Sequence, residues 1–160
     1  MPNPFWDFSL AFYGAPGVAE ACLALQDRSG MDGGADVNLL LFCCWAGRAG
    51  HRLTAAELER LLGASADWQG EVVRPLRAAR RWLKAEGGPA EGALRERIKA
   101  LELEAERIEQ DRLYQALPLG PADPSAAQTA ENLRLYLDRL GVSAGEEVAT
   151  LAAAVASHSG

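Results

Sequence analysis

The sequence predicts an all-α protein: a single-domain helical bundle of roughly seven or eight helices that includes a long antiparallel helical hairpin. Three observations predict this. Apolar residues recur at spacings of three and four along nearly the whole chain. Capping signals such as Asn3-Pro4 and Thr54-Ala-Ala-Glu57 stand where those stripes begin. A Gly87-Gly88-Pro89 turn separates two long periodic segments. The chain has 160 residues, a length that fits one domain and buries a sizeable core without disulfides or metals. Within that single domain, residues 1–63 read as aromatic and apolar core helices, 65–116 as the hairpin and 123–156 as C-terminal helices.

The first helix starts at Asn3-Pro4, with asparagine as cap and proline at the first helical position. Phe5, Phe8 and Phe12 make one stripe; Trp6, Leu10 and Tyr13 make another. Two apolar stripes mean that this helix is largely enclosed or covers a partner. Gly14 ends it. The second helix runs from Pro16-Gly17 to about Asp27, with Val18, Cys22 and Leu25 on one face. A glycine loop follows, with Gly30 as its C-cap. Asp36 opens the third helix, and the run Leu39–Ala46 has no polar face, as expected of the central helix.

The capping box at Thr54 starts a fourth helix, and Ser65 opens another with Trp68, Val72, Leu76, Ala79 and Leu83 on one face. Pro75 kinks or breaks it. Beyond the turn, Leu94, Ile98, Leu101, Ala105 and Ile108 form a coiled-coil-like seam, a candidate homodimer contact through Leu94, Ile98, Leu101 and Ile108. The stretch from Leu117 to Asp123 is a loop. Asp123-Pro124 restarts helix, with Ala130, Leu133, Leu137 and Leu140 as its stripe, and Gly141 stops it. Ser143-Ala-Gly-Glu146 is a second capping box before the last helix.

The net charge is −6, which argues against general nucleic-acid binding, since phosphate neutralisation needs clustered cations. Cys22, Cys43 and Cys44 sit among apolar residues, as expected of reduced, buried thiols in a cytoplasmic protein. The longest apolar run, Leu39–Ala46, is far short of the roughly 20 residues that span a membrane. The N-terminus lacks the basic segment of a secretory signal. No metal or cofactor is expected: adjacent cysteines point about 100° apart on a helix, and neither CxxC nor HxxxH accompanies Cys43, Cys44 and His51.

Two groups of polar residues stand out. Asp36 and Asn38 enter the most apolar helix, and Gln26 and Asp27 close the helix before it. Together they make a candidate ligand-binding pocket, weighed against simple capping of a buried helix start, which is preferred because it needs no further assumption. Arg74, Arg77, Arg81 and Lys84 recur at helical spacing, with Arg80 nearby. They make a candidate site for an anion or acidic partner. The preferred reading pairs them internally with the run Glu102, Glu104, Glu106, Glu109 and Asp111.

The run Phe5-Trp6-Asp7-Phe8-Ser9-Leu10, then Tyr13, Pro16-Gly17-Val18, Cys22-Leu23, Leu25-Gln26-Asp27, Gly30 and Asp36–Cys43 resembles the start of a proteobacterial family of small helical proteins of unknown function. The resemblance implies a cytoplasmic bacterial protein of about this length and carries over no catalytic residue. It groups Gln26, Asp27, Asp36 and Asn38 as parts of one pattern. In the absence of a chemical motif, the aromatic first helix and the charged hairpin point to a non-enzymatic protein-binding or adaptor protein with a protein partner. The alternative is an enzyme, or a small-ligand or metal-binding protein, using the polar pocket.

Overall fold

A computed structural model of the chain describes residues 2–28, 34–119 and 126–158. Eight α-helices lie among them: α1 (Pro4–Tyr13), α2 (Val18–Gln26), α3 (Val37–Arg48), α4 (Ala55–Trp68), α5 (Arg74–Glu86), α6 (Gly92–Ala116), α7 (Ala126–Leu140) and α8 (Gly145–Ser157). No strand occurs among the described residues. The expected C-cap at Gly30 and the expected restart at Asp123-Pro124 fall outside the described residues.

α3 is the axis of the core. Leu39 through Cys44 are all buried, and α7 packs along its length with α8, α1, α2 and α6 around it. Asn132 of α7 is wholly buried and latches the end of α3. Its Oδ1 accepts from the Leu53 N–H at 2.8 Å, and its Nδ2 donates to the carbonyls of His51 at 2.9 Å and Cys43 at 3.3 Å. α3 and α7 approach closely at Gly47, where a Cβ would meet Thr129. The three thiols are buried, and burial pushes those of Cys22 and Cys43 up to about 12, so they stay protonated near neutrality.

The first stripe of α1, Phe5, Phe8 and Phe12, is buried against α3, with the Phe5 and Phe42 rings in edge contact at 5.1 Å. Those three rings therefore offer no exposed face to a partner. The Asn3 cap has two tasks. Its Oδ1 accepts from the Phe5 and Trp6 amides, and its Nδ2 donates to Asp111 of α6 at 2.7 Å.

Several local expectations need correction. Ser65 opens no helix: it lies inside α4, and its hydroxyl donates to the Leu61 carbonyl one turn back. α4 and α5 are joined without interruption by one turn of π-helix, Gln69–Val73. Pro75 sits just beyond it, in the first turn of α5. The wide turn is what relieves the clash that a proline ring makes inside an α-helix, so the expected break becomes a bulge. The box at Ser143 also fails, because Ala144 is the cap residue of α8 and no side chain caps it.

The seam expected on α6 divides. Leu94, Leu101 and Ile108 are exposed and Ile98 is half-buried, whereas Ala105 of the same seam faces inward with Glu102, Glu109, Gln110 and Leu113. The α5–α6 hairpin is present. α5 buries none of its residues fully, and Trp82 near its end is 61 % exposed. No described helix is long and apolar enough by itself to cross a membrane.

Candidate ligand cleft

The second stripe of α1 faces a cleft. Trp6, Leu10 and Tyr13 form one wall, with Leu23 and Gln26 of α2, Val37, Asn38 and Leu41 of α3, and Leu103 of α6. The cleft has a volume of about 480 Å³, within the range of small-ligand sites. α1 therefore carries two stripes because it has two tasks: one fills the core and the other lines a recess.

The opposite wall is charged but internally neutralised. Arg77 donates from Nε to Glu102 at 3.1 Å and from Nη2 to Glu106 at 3.0 Å, while Arg80 donates to Glu102. Burial alone would raise the Glu102 carboxyl, but the hydrogen bonds from Arg80 and Arg77 outweigh it and hold the group below its ordinary range. At Glu106 burial prevails over the Arg77 contact, and the neighbouring Glu102 charge adds to it, so that carboxyl titrates high. Arg81, half exposed, donates to Gln26 Oε1 at 3.3 Å and lies 3.9 Å from Asp27.

Behind the cleft lies a buried polar chain. Asp36 caps α3 as expected: its Oδ1 accepts from the Asn38 amide at 2.9 Å. Its own N–H donates to Tyr136 Oη at 2.8 Å. Asn38 does not cap with its side chain. Its Nδ2 donates to Glu109 Oε2, and its Oδ1 accepts from Gln110 Nε2 at 2.9 Å. Glu109 is wholly buried. Burial, then the neighbouring Asp36 carboxyl, push its carboxyl up to about 11, so Glu109 keeps its proton across the neutral range. Burial and the Asp36 charge also raise the Tyr136 phenol well above its usual value.

The sequence-derived residues are thus only partly united. Gln26, Asn38, Arg77 and Arg81 line the cleft. Asp36 lies behind it, beside Glu109 and Tyr136. Asp27 is 66 % exposed and faces solvent. Arg74 joins Gln26, Asp27, Arg77 and Arg81 around a smaller recess of about 230 Å³, and Lys84 is exposed on α5. The expected match between arginines and the acidic run holds for Arg77 and Arg80 with Glu102 and Glu106.

Sequence reasoning placed Glu109 among the partners of the α5 arginines, whereas it meets Asn38, and it missed Ser9, Gln110 and Tyr136 as parts of the site. Among the described residues, no group of three or more His, Cys, Asp or Glu side chains is arranged to hold a metal ion.

Residues 4–113 match the model of a family described as a protein of unknown function (DUF2390). No curated protein and no solved structure matches the chain.

Proposed function

Since the chain belongs to the DUF2390 family, whose model spans residues 4–113 and so takes in every helix lining the cleft, we propose from the site itself that the protein binds a small amphipathic ligand there. The observation that carries this reading is the second stripe of α1. Trp6, Leu10 and Tyr13 face a recess rather than the core, and the amide-bearing residues Asn38 and Gln110 line it with them. An apolar wall with a few fixed polar groups is how small-molecule sites combine affinity with orientation.

A metabolite library screened by thermal shift and ligand-observed NMR tests it. Compounds that raise the melting temperature of the wild-type protein should lose their effect in Leu103→Trp. That substitution fills the cleft from an exposed position on α6 and leaves the core alone. A library that elicits no response from the wild type would sink the reading.

A second reading keeps a protein partner, here a second copy of the chain. It is favoured by the exposed apolar residues Leu94, Leu101 and Ile108 on one helix. Isolated apolar side chains on a surface are ordinary, but a row of them along a helix is a docking stripe.

A further inference from the structure

We infer that the cleft takes a small apolar molecule bearing a single carboxylate, and that Arg81 and Gln26 hold the carboxylate at its mouth. The inference rests on the cleft being a ligand site.

The charges lining the cleft do not cancel. Arg77, Arg80 and Arg81 line it with Glu102 and Glu106, which leaves one positive charge over. The chain as a whole has a net charge of −6, so this excess is local to the recess. Geometry shows which cation is left over. Arg77 is held by both Glu102 and Glu106, Arg80 is held by Glu102, and the Arg77 side chain is only 13 % exposed. The Arg81 side chain is 52 % exposed. Its contacts are Gln26 Oε1 at 3.3 Å and Asp27 at 3.9 Å, and Asp27 faces solvent outside the cleft lining. An exposed ion pair of that kind contributes about 0–1 kcal/mol, so an incoming carboxylate replaces it at little cost.

Gln26 supplies the second donor. A guanidinium donates and never accepts, so the Gln26 amide turns its Oε1 toward Arg81. Its Nε2 is left without an acceptor among the described residues. Gln26 is half-buried and Arg81 is half exposed, so a head group arriving from solvent meets both with no movement of the core. The planar fork of an arginine matches the two oxygens of a carboxylate, and hydrogen bonds between ions are the stronger kind.

The body of the ligand has its own surface. Leu10, Leu23 and Leu103 are exposed around the opening, while Leu41 behind them is buried. Single exposed leucines are ordinary, but these three border one recess, beside its surplus cation. An apolar body laid against them leaves less of their surface in water. Trp6 and Tyr13 add flat apolar surface. A cationic head is repelled by the surplus charge, and an uncharged one leaves Arg81 with its weak pair alone.

Hydrocinnamate, hydrocinnamamide and phenylpropylamine test this at neutral pH as probes that share one apolar body. Binding is followed through the Trp6 indole N–H resonance in protein-observed NMR. Hydrocinnamate should bind about tenfold more tightly than the amide, the discrimination expected of a partly exposed charge-assisted hydrogen bond, and the amine should bind most weakly. Arg81→Gln should bring acid and amide to within about twofold of each other. Arg81 lies in the exposed part of α5 and fills no core position, so the fold is retained. Gln26→Met should narrow the preference by about threefold. Arg97→Gln makes the same charge change at an exposed position of α6 outside the cleft lining and should leave the preference intact. An amide that binds as tightly as the acid would overturn the inference while leaving the cleft a ligand site. So would a preference that survives Arg81→Gln, or one that Arg97→Gln abolishes as well. Failure of all three probes to move the Trp6 signal would remove the ligand-site reading too.

Discussion

Glu109→Gln keeps an acceptor for the Asn38 Nδ2 donor and removes the titration of the buried carboxyl. The folded value near 11 stands above the ordinary 4.5. Below about pH 4.5 both folded and unfolded chains hold the proton, and the contribution of Glu109 to stability is complete. Above that, the unfolded chain releases a proton that the fold retains, so stability falls progressively until the folded group titrates. The slope is at most about 1.4 kcal/mol per pH unit. Denaturant unfolding across pH 5–9 should therefore show the wild type losing stability relative to Glu109→Gln as pH rises. Parallel pH profiles for the two proteins would contradict a proton retained on Glu109 in the fold. Single residues are also where the site escaped the sequence. Asn38 was nameable because a polar residue in an apolar helix is conspicuous. Gln110 was not, and Glu109 was assigned to the wrong partners, because α6 is rich in polar residues and only Asn38 on α3 marks these two out.

At the level of elements, most helices were legible because their signals are local. The Asn3 cap and the Thr54 box form as the sequence implies. α6 was misjudged because hydropathy assumes that buried means apolar. Its inward face carries Glu102, buried by arginines of α5, and Glu109, buried by α3. Burial there is decided by partners distant in sequence, which periodicity cannot see. The packing of α3 on α7 makes its own prediction. A Cβ on Gly47 would lie 2.0 Å from Thr129 Oγ1 and 2.7 Å from its backbone N, forcing the helices apart. Gly47→Ala should destabilise the protein by about 1–3 kcal/mol or more. Gly63→Ala on the open face of α4, where nothing lies within 4 Å of the added Cβ, should stabilise by up to about 1 kcal/mol. Denaturation midpoints that shift alike in the two variants would refute this packing.

For the whole molecule, the contrast lies between its two ends. The α3-centred body buries most of its aromatic and aliphatic residues, Leu10 and Leu23 at the cleft excepted, whereas the hairpin exposes Trp82, Leu94, Leu101 and Leu103. If the apolar row on α6 joins two copies, sedimentation velocity should show a dimer that grows with protein concentration and disappears in Leu101→Glu. A wild-type protein that stays monomeric at tens of micromolar would exclude the pairing. Such a dimer would leave the cleft chemistry within each chain, because Leu94, Leu101 and Ile108 are not among the residues lining it.

The π-turn between α4 and α5 has a consequence for the angular phase of the cleft wall. A residue adds about 100° of rotation to an α-helix, and the wide turn of Gln69–Val73 accommodates one residue more than an α-turn would. The rod from Ala55 to Glu86 is continuous, yet its two halves are out of phase with each other. Deleting Gly70 would let the rod close into uniform α-helix with α5 in the same angular position, and Arg77 would keep Glu102 and Glu106. Winding all five residues of the wide turn as ordinary α-helix would instead rotate α5 by about 100° and carry its arginines off the recess. The wide turn is in this sense a slack link that absorbs one residue and keeps α5 aimed at the cleft.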